Sequence, residues 1–153
     1  MGRYTYTIHV DAPPELVFEV WTDVDRMKDW IGGVSRVSTP TGPIDQVGTR
    51  YTVYFGSFGS PTEVIDAERP RRFATRFGTA WLRGTNRAEL RFDGTGTKLT
   101  QTFETEGFLP GIFGWIFGHG SYRGSFLGEL RHFGEIAEAD AARRATTEPS
   151  ESR

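Results

Sequence analysis

The chain has no cysteine in its 153 residues. That excludes disulfides, thiolate nucleophiles and cysteine-bearing metal sites, and it makes a cytoplasmic location the expected one. Histidine is nearly as scarce, with three copies. His119 and His132 would point to different sides of a helix, about 220° apart, and alternation puts His9 on the outer face of the first strand. Without an HExxH or paired-histidine spacing, no metal site and no cofactor are expected. No Gly-x-Ser-x-Gly elbow supports a serine nucleophile. The run Gly118-His119-Gly120-Ser121-Tyr122-Arg123-Gly124 lacks the spacing and the strand–helix–strand context of a nucleotide loop. Long hydrophobic runs are missing as well. The apolar stretch 108–118 is far short of the roughly 20 residues a spanning helix needs. The first residues carry no signal-peptide core, and Tyr6 stands where myristoylation after Met1-Gly2 would need Ser or Thr. Charge of one sign is also lacking: 18 basic and 20 acidic residues leave a net −2. Nucleic acid is therefore not an expected partner.

Aromatic residues are what the chain has in quantity, with 12 Phe, 5 Tyr and 4 Trp. Tyr4, Tyr6, Ile8 and Val10 alternate with Thr5, Thr7 and His9, the period of a half-buried strand. Pro13 and Pro14 fit only the first turn of a helix, where a missing N–H costs nothing, and Glu15 favours its positive end. Leu16, Val17, Val20 and Trp21 form its apolar stripe. Asp23 is placed to cap a second short helix carrying Val24, Met27 and Trp30. Strands are expected at 34–38, 49–55 and 62–67, with a turn or loop at 56–61. Next come a strand with Phe73, Thr75 and Phe77 in alternation, and another at 82–92 with Leu82, Gly84, Asn86, Ala88, Leu90 and Phe92 on its inner face. Asp93-Gly94-Thr95-Gly96 signals a hairpin. The returning strand turns Leu99, Gln101, Phe103 and Thr105 inward. On the outer faces Arg83, Arg87 and Arg91 are expected to lie across from Glu104 and Glu106 as a charge ladder.

From Pro110 to about Ala142 the pattern is helical, and the polar remainder, 143–153, is expected to be a disordered tail after a single domain at 1–142. The first half of this helix holds six glycines, Gly111 to Gly128, each costing roughly 1 kcal/mol against alanine. Close approach to a sheet would offset that cost; extra cavity volume or a flexible lid are the other readings of the same glycines. At about 100° per residue, Ile112, Trp115, His119, Tyr122, Phe126, Leu130, Phe133 and Ala137 share the face toward the sheet. Phe113 and Phe117 lie opposite, where a loop, a second copy or a membrane surface could cover them.

Strand, two short helices, six strands and a long helix: in this order the chain resembles the START/Bet v 1-like (SRPBCC) superfamily, and within it the polyketide cyclase/dehydrase and lipid transport branch. The residues that carry the likeness are Asp11-Ala12-Pro13-Pro14-Glu15, Val17-Phe18, Trp21-Thr22-Asp23, Trp30, Gly48, Pro70-Arg71-Arg72-Phe73 and Gly94-Thr95-Gly96-Thr97, across about 4–139. The resemblance implies an α+β helix-grip fold, a curved antiparallel sheet wrapped around the C-terminal helix with an apolar cavity between them. It implies binding or carriage of a hydrophobic small molecule of lipid, polyketide or isoprenoid type. A polyketide cyclase/dehydratase using the same cavity is the alternative, and a co-chaperone or interaction module a further one. The family shares no catalytic set to transfer.

The inward polar groups are Asn86, Gln101, His119 and Tyr122, and His119 and Tyr122 are the weak candidates for moving protons. The candidate ligand contacts from the first strand to the sheet are Tyr6, Trp30, Phe77, Asn86, Leu90, Gln101 and Phe103. Those from the long helix are Trp115, His119, Tyr122 and Phe126. Phe58 with Phe113 or Phe117 is expected to flank the entrance, with Phe108 and Leu109 completing an apolar rim. Transient membrane contact and a homodimer are compatible with this pattern.

Overall fold

A computed structural model describes residues 2–79, 82–107 and 122–151, apart from the side chains of 82, 106, 107, 122–126 and 147–151. Strand β1 (Gly2–Val10) runs into helix α1 (Pro14–Thr22). A 3-10 turn (Val24–Arg26) leads into the single-turn helix α2 (Met27–Trp30). Then come β2 (Arg36–Val37), β3 (Arg50–Phe55), β4 (Phe58–Glu68), β5 (Arg72–Gly78), β6 (Leu82–Phe92) and β7 (Thr97–Gly107), followed by the long helix α3 (Tyr122–Glu151). The strands form one antiparallel sheet in the order β1-β7-β6-β5-β4-β3-β2, the helix-grip arrangement expected from the sequence.

The strand-to-helix junction follows from its residues. Tyr6 and Val10 are buried while Thr5, Thr7 and His9 are exposed. Pro13 occupies the N-cap in an extended conformation and Pro14 the first helical turn, so neither ring displaces a helical hydrogen bond. Asp23 caps the next turn, its Oδ1 accepting from the Asp25 N–H at 3.2 Å. Phe18 lies outside the stripe read from sequence, yet it is fully buried. It meets the Phe73 ring edge-on at 6.0 Å, and the Arg69 guanidinium covers it at 4.7 Å.

The sheet differs from expectation in four places. First, residues 56–61 do not form a loop. The turn is Gly56-Ser57 alone, with Gly56 at φ +66°, and Phe55 pairs directly with Phe58. Pro61 sits inside β4, just before the ladder with β5 begins at Thr62, so its missing N–H costs no ladder bond. Second, the strand expected at 34–38 shrinks to two residues, although Ser35 and Ser38 each donate a backbone N–H to β3. Third, Phe92, the last residue of β6 before the hairpin turn, is 64% exposed. Fourth, the charge ladder is only partly built: Arg83 faces Glu106 and Arg91 faces Lys98. Arg87 pairs instead with Asp66 of β4 at 3.1 Å, across the intervening β5, and Glu104 with Arg3 of the neighbouring β1 at 3.6 Å.

Helix α3 continues to Glu151, well past Ala142. Of its expected sheet-facing residues, Leu130, Phe133 and Ala137 are buried. The glycine that approaches the sheet is Gly134, whose added Cβ would meet Ile8 Cδ1 at 3.4 Å, whereas Gly128 has nothing within 4 Å. Polar latches hold the helix along its length. Gly32 N–H donates to Glu129 and Asp11 N–H to Glu138, at 2.9 and 2.8 Å. Arg26 grips Asp140 at 2.6 Å, and Arg144 grips Glu19 at 2.9 Å.

Candidate functional site

Between the inner face of the sheet and the helices lies a cavity of about 420 Å³. Its position follows from the bend of the sheet, where β4 carries a bulge between Val64 and Asp66. Trp21, Met27, Trp30 and Ile31 come from α1, α2 and the residue after it. Tyr51, Val53 and Phe55 alternate inward from β3, and Phe58, Ser60 and Thr62 from β4. Phe73, Thr75 and Phe77 come from β5, Asn86 from β6, Gln101 and Phe103 from β7, and Glu129 from α3. Aromatic rings make up nearly half of the lining residues. Phe77 stacks on Phe103 at 5.2 Å, while Trp21 and Trp30 lie 4.8 Å apart with Phe133 set edge-on behind both.

Besides the hydroxyls of Tyr51, Ser60, Thr62 and Thr75, the polar side chains of the wall fall into two places. On the sheet, Gln101 Nε2 donates to Asn86 Oδ1 at 3.0 Å, which holds the two amides together and leaves each with hydrogen-bonding capacity. At the helical end, Glu129 Oε1 accepts the Gly32 N–H, and Trp30 Nε1–H is buried without a hydrogen-bond partner among the described residues. Burial pushes the Glu129 carboxyl above its ordinary 4.5, with the Gly32 N–H partly opposing the shift. Burial also pushes the Tyr51 hydroxyl well up, so it stays a neutral phenol.

The Glu129 shift has a measurable consequence. The folded chain holds this proton more tightly than the unfolded chain, so ionising it costs the folded state. The Glu129 contribution is therefore most favourable below the unfolded value near 4.5 and falls as pH rises through the raised folded value. Urea midpoints of Glu129→Gln measured across this range should lack that fall. An identical slope in both proteins would contradict it.

Of the residues read from sequence as ligand contacts, Trp30, Phe77, Asn86, Gln101 and Phe103 are brought together on the cavity wall. Tyr6 and Leu90 face inward but belong to the solid core. Leu90, 4% exposed, lies toward the hairpin end of the sheet, which Thr97 ties to the start of α1 through its bond to the Ala12 carbonyl. Trp115 and His119 lie outside the described residues, as do Phe108, Leu109, Phe113 and Phe117. Tyr122 and Phe126 fall in the first turns of α3, with side chains also outside the description. Phe58 is on the wall and 48% exposed.

Among the wall residues that sequence reasoning missed are Tyr51, Phe73, Thr75 and Glu129. Alternation in β3 and β5 carried the signal for the first three. A glutamate on an amphipathic helix carries none. His9, on the outer face, is held by Asp11 through Nε2 at 2.7 Å and by Asp93 through Nδ1 at 2.5 Å. These bonds, first to Asp11 and then to Asp93, raise its pKa above 6.5. The two carboxylates bind opposite nitrogens and cannot converge on one metal ion.

The chain belongs to the polyketide cyclase/dehydrase and lipid transport family, which matches residues 1–131. No curated protein sequence matches it. Among solved structures it is similar to protein NE0264 from Nitrosomonas europaea, at 14% identity and a TM-score of 0.71, over 92% of this chain and 96% of that one. It is also similar to the Zhui aromatase/cyclase from Streptomyces sp. R1128, at 19% identity and 0.64, over 90% and 93%. The di-domain aromatase/cyclase StfQ of the steffimycin biosynthetic pathway aligns at 12% identity and 0.68, over 95% of this chain and 52% of that one. At these identities the likeness establishes the fold. Among the described residues, no helix is long and apolar enough to cross a membrane.

Proposed function

We propose that this protein binds and carries a hydrophobic small molecule of lipid, polyketide or isoprenoid type in the cavity, in the cytoplasm. One observation carries the reading. A cavity of about 420 Å³ is walled mainly by aromatic and aliphatic side chains and has only a few polar groups, the usual make-up of a small-molecule site. Filling such a space transfers apolar ligand surface from water at roughly 25 cal/mol per Å². Native mass spectrometry of freshly purified protein should show a co-purifying small molecule. A panel of apolar ring compounds and isoprenoids should quench Trp21 and Trp30 fluorescence saturably with one molecule per chain. A bare mass together with no binding across the panel, for a protein folded by circular dichroism, would overturn the reading.

A second reading is a polyketide cyclase or dehydratase that uses the same cavity. The similarity to Zhui and StfQ favours it, as does a wall carboxyl that burial keeps near its proton. The cavity would hold a flexible chain in a reactive shape, and His119, Tyr122 or Glu129 would transfer protons. Turnover of polyketide-like substrates that is lost in His119→Ala, Tyr122→Phe or Glu129→Gln would support this assignment. Turnover unchanged in all three would remove it.

A further inference from the structure

The sheet wall of the cavity carries two side-chain amides beside a stack of rings. Asn86 and Gln101 stand on β6 and β7, which both have a neighbouring strand on each edge, so the cavity is the space these side chains face. Their one side-chain hydrogen bond among the described residues runs from Gln101 Nε2 to Asn86 Oδ1. Asn86 Nδ2 and Gln101 Oε1 stay uncommitted, and neither is among the unpaired side-chain atoms sealed off from any probe of the surface. Gln101 as a whole is only 6% exposed, so this opening is onto the cavity. Turning both amides over would merely exchange their roles, leaving one set of N–H donors and one carbonyl oxygen facing the same space. Thr75, directly across from Asn86 on β5, adds a hydroxyl to the spot. On the other side Asn86 is paired with Phe103, whose ring stacks on Phe77 at 5.2 Å, so the amides border an aromatic platform. Buried polar groups are normally satisfied, and free N–H donors in such a wall call for an acceptor. No Lys, Arg or His is among the described lining residues.

We propose that the Asn86–Gln101 pair is the polar contact of the bound ligand, and that it selects an uncharged carbonyl oxygen, a ketone or quinone, borne on a ring body. The inference rests on the carriage reading above and names the ligand chemistry of that same site. Asn86 Nδ2 donates to the ligand oxygen. Gln101 acts as the positioning residue, because its bond to Oδ1 fixes the orientation of the Asn86 amide. The ligand ring lies against Phe77 and Phe103. A carbonyl oxygen only accepts, so the free N–H donors satisfy it completely. An ionised carboxylate would accept from the same donors, but without a cation on the described wall its desolvation goes uncompensated.

The test uses three probes that share one ring body and differ at a single carbon: tetralin, 1-tetralone and tetralin-1-carboxylate. Their binding to the full chain is measured by equilibrium dialysis. In the wild type the ketone should bind at least as tightly as the hydrocarbon, although water solvates it better, and the carboxylate should bind most weakly. Asn86→Leu combined with Gln101→Met replaces both amides by apolar side chains of similar size, so neither is left unpaired. In this double variant the ratio of ketone to hydrocarbon affinity should fall about tenfold, the worth of one hydrogen bond in a dry site. Circular dichroism and melting curves show whether the variant folds. If it does not, the wild type decides alone: the isotope-edited infrared band of the bound 1-tetralone carbonyl should lie below its position in alkane. An unshifted band overturns the amide contact while leaving carriage intact. So does an unchanged ratio in the folded double variant, or a carboxylate that binds most tightly. Failure of all three probes to bind the folded wild type overturns the carriage reading itself, and this inference with it.

Discussion

Phe133→Ala is expected to destabilise the fold by about 3–5 kcal/mol, the range for deleting a buried aromatic ring from a core. Phe133 is fully buried, and its ring lies edge-on to Trp21 at 4.9 Å and to Trp30 at 5.0 Å. The substitution removes two aromatic contacts together with the apolar burial, and the indoles are too large and too well fixed to close the gap. In a chain of this length such a loss lowers the melting temperature by roughly 10 °C. The effect should reach the cavity as well, since both indoles line it and lose their backing. Urea unfolding is the check: the midpoint should fall with the slope unchanged. A loss below about 1 kcal/mol would mean that the ring cluster repacks and is not the rigid back wall described here.

Asp140→Ala should cost about 3 kcal/mol, the lower end of the range for removing one partner of a buried ion pair. Asp140 is 7% exposed, and its two oxygens take the two terminal nitrogens of Arg26 at 2.6 and 3.2 Å. Arg143 also reaches it from the next turn of α3. The lower end applies because Arg26 keeps 28% of its side-chain surface in water and recovers part of its solvation when the partner is gone. This pair fastens α3 to the turn between α1 and α2, and no apolar contact duplicates its geometry. Asp140→Ala combined with Arg26→Ala should be less destabilised than the sum of the single changes, because no buried charge is then left unpaired. Strictly additive losses would show that the pair is uncoupled. Hydrogen exchange should localise the damage, with amides near Arg26 and Asp140 losing protection before those of β6 and β7.

Much of the fold was legible because its signals are local. Period-two alternation of Tyr6 and Val10 against Thr5, Thr7 and His9 reports one wet and one dry face, and the burial follows it. Asp93-Gly94-Thr95-Gly96 makes its turn through contacts within four residues: Asp93 Oδ1 accepts from the Thr95 and Gly96 N–H groups, and Gly94 sits at φ +97°. The readings that failed depended on distant neighbours. The two phenylalanines and two glycines of 55–61 resemble a mobile loop, yet β3 and β4 pair through most of them, leaving only Gly56-Ser57 as the turn. The pattern matches Arg87 with glutamates of the next strand, but its ion pair is with Asp66, two strands away across β5.

The sequence by itself determined most of the inward-facing strand residues, the hairpin at 93–96, that two short helices follow the first strand, and that the chain resembles one superfamily. Each of these is written in the spacing of nearby residues, and spacing of two or of 3.6 is a property of the backbone alone. Only the tertiary structure decided which inward residues are packed solid and which border open space. Leu90 and Phe77 look alike in the pattern, but one is buried in the core and the other lines the cavity. The tertiary structure also decided that Glu129, a charged residue on an amphipathic helix, belongs to the site. Its burial and its bond to Gly32 arise when residues 97 positions apart meet, and no local period encodes that meeting.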